Sequence, residues 1–425
     1  MISEIKDKFF PLGSFAANTL TLTIGSSIAQ AIPILVSPIL TRLYSPNEYG
    51  LFTLFISIAS IIAVISTGRY EAAVVLPAKD GEAIDLVILT IIIVVTVSSF
   101  LFLSIILLKE PLMALIKNVS FSSWIYFIPL FLLLSGMYQP LNYWLIRKKS
   151  YAVMSSRSII QTICTSIVQL SFGFSGLTKL GLFVGTFTGQ GVSLGLVGWQ
   201  IWRGERNKIR QIKYEKLKER AREYRDFPLY DTPASLLDTA ALLSPILFIS
   251  YYYGPVEAGF FGLTMRVLAM PSTLIGNAIS QVYYNRIAEI RHDRPEELPR
   301  FVLRLAKHLT LVIVIPVLVL GLLGSHLFSF VFGDIWRDAG VFAQIMSVAV
   351  GTKFVVSPLS TIMYVSGNIK LGSKWKMIYF ISSYITLFIA GHFTIIKFVM
   401  IYTIHEIVLY ISYFYFISKA SNSLR

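Results

Sequence analysis

Leu86-Val-Ile-Leu-Thr-Ile-Ile-Ile-Val-Val-Thr-Val-Ser-Ser-Phe-Leu-Phe-Leu-Ser-Ile-Ile-Leu-Leu108 carries neither a charge nor a proline. It is the heart of an apolar run at 84–108, and about 20 such residues in a helix cross the roughly 30 Å hydrocarbon core of a bilayer. Eleven further runs of spanning length lie at 16–41, 48–70, 120–146, 153–175, 178–202, 230–253, 258–282, 308–332, 338–366, 376–396 and 397–418. The composition agrees. The 425 residues are 55% hydrophobic and only 14% charged, with mean hydropathy +0.68. A soluble domain carries about a quarter charged residues. Water is therefore not the solvent for most of this surface, and the expected fold class is an all-α integral membrane protein of about 12 transmembrane helices.

The charges test that count. Cations collect in the cytoplasmic loops of membrane proteins. With the N-terminus inside, Lys6, Lys8, Arg69, Lys79, Arg147, Lys148, Lys149, Arg157, the ten cations of Arg203–Arg225 and those of the later inner loops put 29 of the 37 lysines and arginines on one side. Arg42, Lys109, Lys117, Lys179, Arg337 and Lys397 fall on the other. A missed helix would swap the sides downstream and spoil the split, so an even count with both termini cytoplasmic is expected. The net charge of +14 reads as this topology signal, and no nucleic acid is expected as a partner. The N-terminal Met1-Ile-Ser-Glu-Ile-Lys-Asp-Lys8 is polar, and the first apolar run is too long for the core of a cleavable signal. Cys164 is the single cysteine, which leaves no intrachain disulfide and no thiol metal site.

Arg203–Asp226 is the one sizeable polar insertion. Ile209, Ile212, Leu217, Ala221 and Tyr224 give it a rough helical stripe. It is expected to be an amphipathic helix on the cytoplasmic membrane surface, drawn to anionic lipid. Six spans precede it and six follow, so the chain divides into an N-terminal lobe (1–202), this linker (203–228) and a C-terminal lobe (229–425). The halves share local pattern. Pro38-Ile-Leu40 corresponds to Pro245-Ile-Leu247, and Tyr44-x-Pro46-x-Glu48-x-Gly50-Leu-Phe52 to Tyr253-x-Pro255-x-Glu257-x-Gly259-Phe-Phe261. Six spans per half give two repeats of the same orientation, an arrangement that commonly faces a central site. Paired prolines, Pro33 with Pro38 and Pro233 with Pro245, are expected to bend or break helices 1 and 7. Broken helices at matching places point to a transport path.

Two cations fall inside spans. Arg266 lies about eight residues into helix 8, and Lys353 about fourteen into helix 10. Each costs roughly 2.5–3.5 kcal/mol near the bilayer centre, so each is expected to face a wet cavity or an anion. Asp238 and Glu406 are the carboxylates near enough to compete, either as ion-pair partners or as sites that bind H+ or Na+. Polar stripes at helical spacing mark a wet interior: Thr19, Thr23, Ser26 and Gln30 in helix 1; Gln161, Thr165 and Gln169 in helix 5; Asp231, Ser235 and Asp238 in helix 7; Arg266, Thr273, Asn277 and Gln281 in helix 8. Of these, Gln30, Gln161, Gln169 and Asn277 are the candidate cavity lining. Hydroxyls and amides serve equally as glue between helices. Gly181, Gly185, Gly189 and Gly195 in helix 6 form a small-residue face for tight packing.

Leu40-Thr-Arg-Leu-Tyr-Ser-Pro-Asn-Glu-Tyr-Gly-Leu-Phe52 and Ser66-Thr-Gly-Arg-Tyr-Glu-Ala-Ala-Val-Val-Leu-Pro77 resemble the corresponding stretches of the Wzx-type polysaccharide flippases. These belong to the same superfamily as the lipid II flippases and the multidrug–cation antiporters. The resemblance is strongest over about 15–90 and implies two six-helix lobes around a central cavity, with alternating access. It also implies a bacterial inner-membrane protein that flips an oligosaccharide on a polyprenyl pyrophosphate, the O-antigen or capsule unit of surface polysaccharide. The diphosphate would suit Arg266 and Lys353, and Arg42 and Arg69, in the two resembling stretches, join them as candidate substrate cations. The chain departs from the lipid II branch in having twelve spans and not fourteen, which leaves that branch's lipid-tail groove without its helices. No cofactor is expected beyond a coupling ion, H+ or Na+. The expected partners are the lipid-linked oligosaccharide, membrane lipids, and a polysaccharide polymerase and glycosyltransferases, with the chain acting as a monomer. A multidrug–cation antiporter would want an acidic site, yet helix 1 has no acid between Ala16 and Thr41. A membrane enzyme would want acid–base groups at one face, yet the longest outer loop, about Lys109 to Ser120, has Glu110 as its only acid. His308, His392 and His405 have no metal-ligand spacing, and no glycine-rich phosphate loop appears.

Overall fold

The computed structural model describes residues 15–108, 110–111, 121–210, 212–272, 283, 287, 290, 295–360, 362–365 and 369–422. Among these there is no strand. The helices are α1 (Phe15–Leu43), α2 (Pro46–Ser66), a single turn α3 (Tyr70–Ala73), α4 (Asp80–Leu107), α5 (Ile128–Arg147), α6 (Tyr151–Phe174), α7 (Thr178–Ile209), α8 (Tyr214–Glu223), α9 (Thr232–Tyr253), α10 (Pro255–Leu268), α11 (Leu298–Phe332), α12 (Arg337–Leu359), a turn α13 (Ile362–Val365), α14 (Ile369–Ala390) and α15 (Ile395–Asn422). The twelve longest of these follow the twelve apolar runs in order. Among the described residues, eight helices are long and apolar enough to cross a membrane on length and composition alone. Their outward residues, such as Leu35, Phe100, Leu107, Leu322 and Phe330, are more than two-thirds exposed, as lipid-facing side chains must be in a helix with no water to meet.

The chain forms two compact units. The first is Met1–Tyr44 with Leu54–Ala240; the second is Ser45–Thr53 with Ala241–Arg425. In the first, the core gathers around Leu86, Trp144, Val197 and Ile201, all no more than 5% exposed. α6 and α7 pack closely because glycines face α6: a Cβ on Gly189 would lie 1.9 Å from the Thr165 hydroxyl. Tyr44 inserts beside them and donates to the Gln169 carbonyl at 2.6 Å. Gly195, by contrast, faces open space.

The polar insertion differs from its expected form. α7 continues through Ile209, the chain turns, and only α8 forms a separate helix. Its stripe is real, but protein covers it. Leu217 is buried, and Ile209, Ile212, Ala221 and Tyr224 pack on the core of the first unit. Tyr70 Oη donates to the Ala221 carbonyl at 2.9 Å. The apolar face assigned to lipid is thus spent on the lobe itself.

The second unit has its core around Tyr283, Ile287, Trp375 and Ile417. Here the two copies of the repeat meet. A Cβ on Gly50 would stand 1.7 Å from the Pro255 carbonyl oxygen, and one on Gly259 would stand 2.1 Å from that of Pro46. The contact is reciprocal, with each repeat's glycine seated on the other's proline carbonyl. The prolines behave less symmetrically. α1 stays helical through Pro33 and Pro38. α9 holds Pro245 in its interior, and Pro233 lies just after a π-helical turn, Phe227–Asp231, that runs into α9, a local rearrangement of the helical ladder of the kind that bends helices.

Candidate functional site

In the first unit, α5, α6 and α7 enclose a guanidinium. Arg157 lies in the second turn of α6. It donates to Gln161 Oε1 at 2.7 Å, one turn on, and to Ser193 Oγ of α7 at 3.0 Å. Its carbon centre stands 4.2 Å from the ring centroid of Tyr138 on α5, and Tyr138 Oη donates to Asn142 Oδ1 at 2.6 Å. Arg157 Nε and, on α7, the amide oxygen Gln190 Oε1 are buried without hydrogen-bond partners. No carboxylate pairs with Arg157 among the described residues. A charge drawn even partly out of water without a counter-charge is unfavourable, so the lobe holds this half-buried cation, its Nε unsatisfied, at a standing penalty. Sequence reasoning placed Arg157 with the loop cations. The signal was present in the 157, 161, 165, 169 register, in which Arg157 heads the stripe that contains Gln161 and Gln169. Gln161 thus positions the guanidinium. Gln169 is 7% exposed and donates to the Leu182 carbonyl at 3.2 Å, serving as packing glue.

Arg69 is bound differently. Gly68 and Arg69 are both left-handed, at φ 57° and 58°, a conformation that costs a non-glycine residue about 1 kcal/mol or more. The turn aims Arg69 Nε at Asp231 Oδ2, 2.7 Å away, and brings Nη1 to 3.4 Å from Glu71 Oε1. Burial would lower the Arg69 pKa, but the Asp231 hydrogen bond and the charges of Glu71 and Asp231 raise it. This cation is neutralised by resident acids. Glu71 is the other residue the sequence reading missed. It is 2% exposed, and its Oε2 has no hydrogen-bond partner. Burial pushes its carboxyl up, against the opposing pull of Thr67 and Arg69. It borders a cavity of about 320 Å³ shared with Ser60, Thr67, Ser135 and Gln139. The remaining first-unit candidates are simpler. Gln30 Nε2 donates to the Ser26 carbonyl at 3.2 Å on its own helix. Arg42 is exposed and donates to the Pro38 carbonyl at 3.3 Å. Asp238 is exposed on α9.

In the second unit, Arg266 on α10 donates to Tyr49 Oη at 2.9 Å. Tyr49 is 4% exposed and stands edge-on to the buried Trp336, with centroids 5.4 Å apart. Lys353 Nζ lies 5.6 Å from the Tyr410 ring centroid. Neither cation has a carboxylate partner among the described residues; a phenol and a ring face take that place. Glu406, 5% exposed, accepts from Tyr379 Oη at 3.0 Å and lies 3.6 Å from His405 Nδ1. It is the buried acid of this unit among the described residues. Asn277, with Thr273 and Gln281, lies outside the described residues.

This is the fold of the transporters of the multidrug and oligosaccharide-lipid export superfamily. An inward-facing multidrug resistance MATE family transporter of the MOP superfamily is similar with a TM-score of 0.70 at 14% identity, over 93% of this chain and 95% of the other. An outward-facing conformation of such a transporter gives 0.59 at 13%, over 96% of both chains. A MOP superfamily transporter from Pyrococcus furiosus, noted for the reverse polarity of its binding pocket, gives 0.62 at 13%, also over 96% of both. No curated protein matches the chain in sequence. Residues 39–340 match the family described as polysaccharide biosynthesis protein, and the chain belongs to that family.

Proposed function

We propose that the chain flips a polyprenyl-pyrophosphate-linked oligosaccharide from the inner to the outer leaflet of the bacterial cytoplasmic membrane by alternating access, with both termini inside. The observation that carries this reading is Arg157. It is a half-buried guanidinium held by neutral groups only, with its Nε buried and unpartnered and no carboxylate beside it among the described residues. A phosphate oxygen supplies both the charge and the acceptor it lacks. Arg266 and Lys353 repeat the pattern in the second unit, each supported by an aromatic residue and not by an acid. The family's link to polysaccharide biosynthesis and the solved inward- and outward-facing forms of the fold support the same reading. Coupling to an ion gradient belongs to the proposal. The buried carboxylates among the described residues are Glu71, Asp85 and Glu406, and of these Glu71 and Glu406 are the proposed sites for the ion. An antiporter for cationic drugs would need a cavity governed by acids, whereas Arg157, Arg266 and Lys353 are cations with no carboxylate partner among the described residues.

The test is transport by the purified protein in proteoliposomes. A fluorescent polyprenyl-pyrophosphate oligosaccharide should cross with wild type and stall with Arg157→Gln or Arg266→Gln, while a lipophilic cation such as ethidium should not be moved by either. Ethidium export by wild type, with the sugar lipid left in place, would overturn the assignment.

A further inference from the structure

The proposed substrate has two parts, and the cations account for one of them. Its hydrocarbon chain cannot enter a polar pocket and must stay in an apolar one while the headgroup moves. The second unit contains a groove of about 410 Å³ between α11, α12 and α15. Its wall is set with branched side chains, among them Ile313, Val314, Val317, Val348 and Val355. Its two hydroxyls do not make it polar. Thr310 Oγ1 donates to the Ala306 carbonyl and Thr352 Oγ1 to that of Val348, each at 2.9 Å within its own helix, so no donor is left over. Gly351 lets α12 close on the base of the groove, where a Cβ would stand 2.7 Å from a Val317 methyl. Val348 and Ile411 on the rim are 52% and 57% exposed.

Length and charge give the groove a direction. On α11 it runs from Lys307 to Val317, ten residues and therefore about 15 Å. That is half of the roughly 30 Å hydrocarbon core, the depth of one leaflet. Lys307 stands at one end. Arg304 and Arg300 follow at helical spacing on the same face, all three exposed. None of them has a carboxylate partner among the described residues. An apolar slot one leaflet deep, with a ladder of free cations at its mouth, is complementary to a lipid with one hydrocarbon chain and a phosphate head. A volume of about 410 Å³ spread over about 15 Å leaves room for one hydrocarbon chain and not two, the count of a polyprenyl phosphate and not of a two-chain phospholipid.

We infer that this groove holds the inner-leaflet end of the polyprenyl chain of the lipid carrier, with its phosphate at Lys307 and Arg304. The inference rests on the transport reading and adds where the tail is loaded. It needs no helices beyond the twelve.

The experiment is photocrosslinking of the full-length protein in nanodiscs with a polyprenyl monophosphate carrying a diazirine near the phosphate end of its chain. Phosphatidylglycerol with a diazirine in one acyl chain is the matched anionic control. Wild type should concentrate polyprenyl label on 306–317 and 348–356. Thr352→Trp, which fills the slot, should cut that yield at least tenfold. Val348→Trp, on the exposed rim and harmless to packing, should cut it severalfold, and Thr352→Ser should label as wild type. Lys307→Gln with Arg304→Gln should weaken labelling by the phosphate. Label spread evenly over the lipid-facing helices, equal labelling by phosphatidylglycerol, or an unaffected Val348→Trp would each overturn the inference. The readout is binding, so it stands apart from transport. Unlabelled groove with normal sugar-lipid flipping rejects the groove alone, whereas normal flipping by Arg157→Gln rejects the transport site.

Discussion

Replacing Arg157 with methionine should leave the protein as stable as before and stop it working. The guanidinium makes two hydrogen bonds, to Gln161 and Ser193, and lies 4.2 Å from the Tyr138 ring. Inside membranes such bonds average about 0.6 kcal/mol each, and a desolvated cation–π contact adds roughly 1–2 kcal/mol. Methionine therefore forfeits roughly 2–3 kcal/mol. It also removes a half-desolvated cation in the second turn of α6, whose placement costs a comparable amount, below the roughly 2.5–3.5 kcal/mol of the bilayer centre. The two terms cancel to within about 1 kcal/mol, which moves the melting midpoint of a chain this large by only about 2 °C. Function should respond quite differently. Losing a desolvated charge contact with phosphate costs roughly 2–5 kcal/mol, and even the lower figure is a drop of about thirty-fold at 1.4 kcal/mol per decade. Differential scanning fluorimetry in detergent and initial rates in proteoliposomes read the two quantities on one preparation. Were Arg157 a structural strut, its loss should resemble breaking a buried pair, about 3–5 kcal/mol. A melting point down by 6 °C or more with transport intact would therefore refute the reasoning.

Glu71 carries a pH signature. Its carboxyl is held above the ordinary value of 4.5 by burial, so the folded state binds the proton more tightly than the unfolded chain. The stability this contributes is complete below the unfolded value and is lost as pH rises through the folded one. Glu71→Gln should thus gain on wild type in melting temperature between pH 4.5 and pH 8, whatever constant offset the lost Arg69 contact brings; a difference flat across that window would show that the carboxyl is not perturbed. Gly259→Ala must move a Cβ from 2.1 Å to an ordinary distance from the Pro46 carbonyl oxygen, and overpacking of this kind costs roughly 1–3 kcal/mol. Gly50→Ala should cost about the same, and a melting point unchanged in both would mean that the two segments do not touch in solution. Asp231→Asn should release Arg69 from its strained turn, read as faster proteolysis between Thr67 and Leu76; unaltered cleavage would count against the ion pair as the clasp.

The spans were legible because hydrocarbon leaves a helix little choice: an apolar run of bilayer length has nowhere else to satisfy its backbone. The repeat was legible at Pro46 and Gly50 because a close backbone approach demands the same small residue twice. Arg157 was misplaced because the positive-inside count sorts cations by neighbourhood in the chain. It cannot see that the second turn of α6 is already covered by α5 and α7. Arg69 was read as a substrate cation because its counter-charge, Asp231, lies 162 positions away. The stripe of α8 was read correctly, but its cover was not, since a helix face states that it must be buried and not by what. Lys353 and Arg266 stand in α12 and α10 with no carboxylate partner among the described residues. That their partners would be Tyr410 and Tyr49 was beyond pattern, because aromatic rings occur everywhere in such a chain.

The reciprocal seat of Gly50 and Gly259 has an evolutionary corollary. What blocks a side chain at either position is the main-chain carbonyl of the other copy's proline, and every residue type has that oxygen. Trimming a neighbour elsewhere cannot create room. The two halves are free to drift apart along most of their length, but at this point neither can accept a larger residue until the backbone of both has been redrawn.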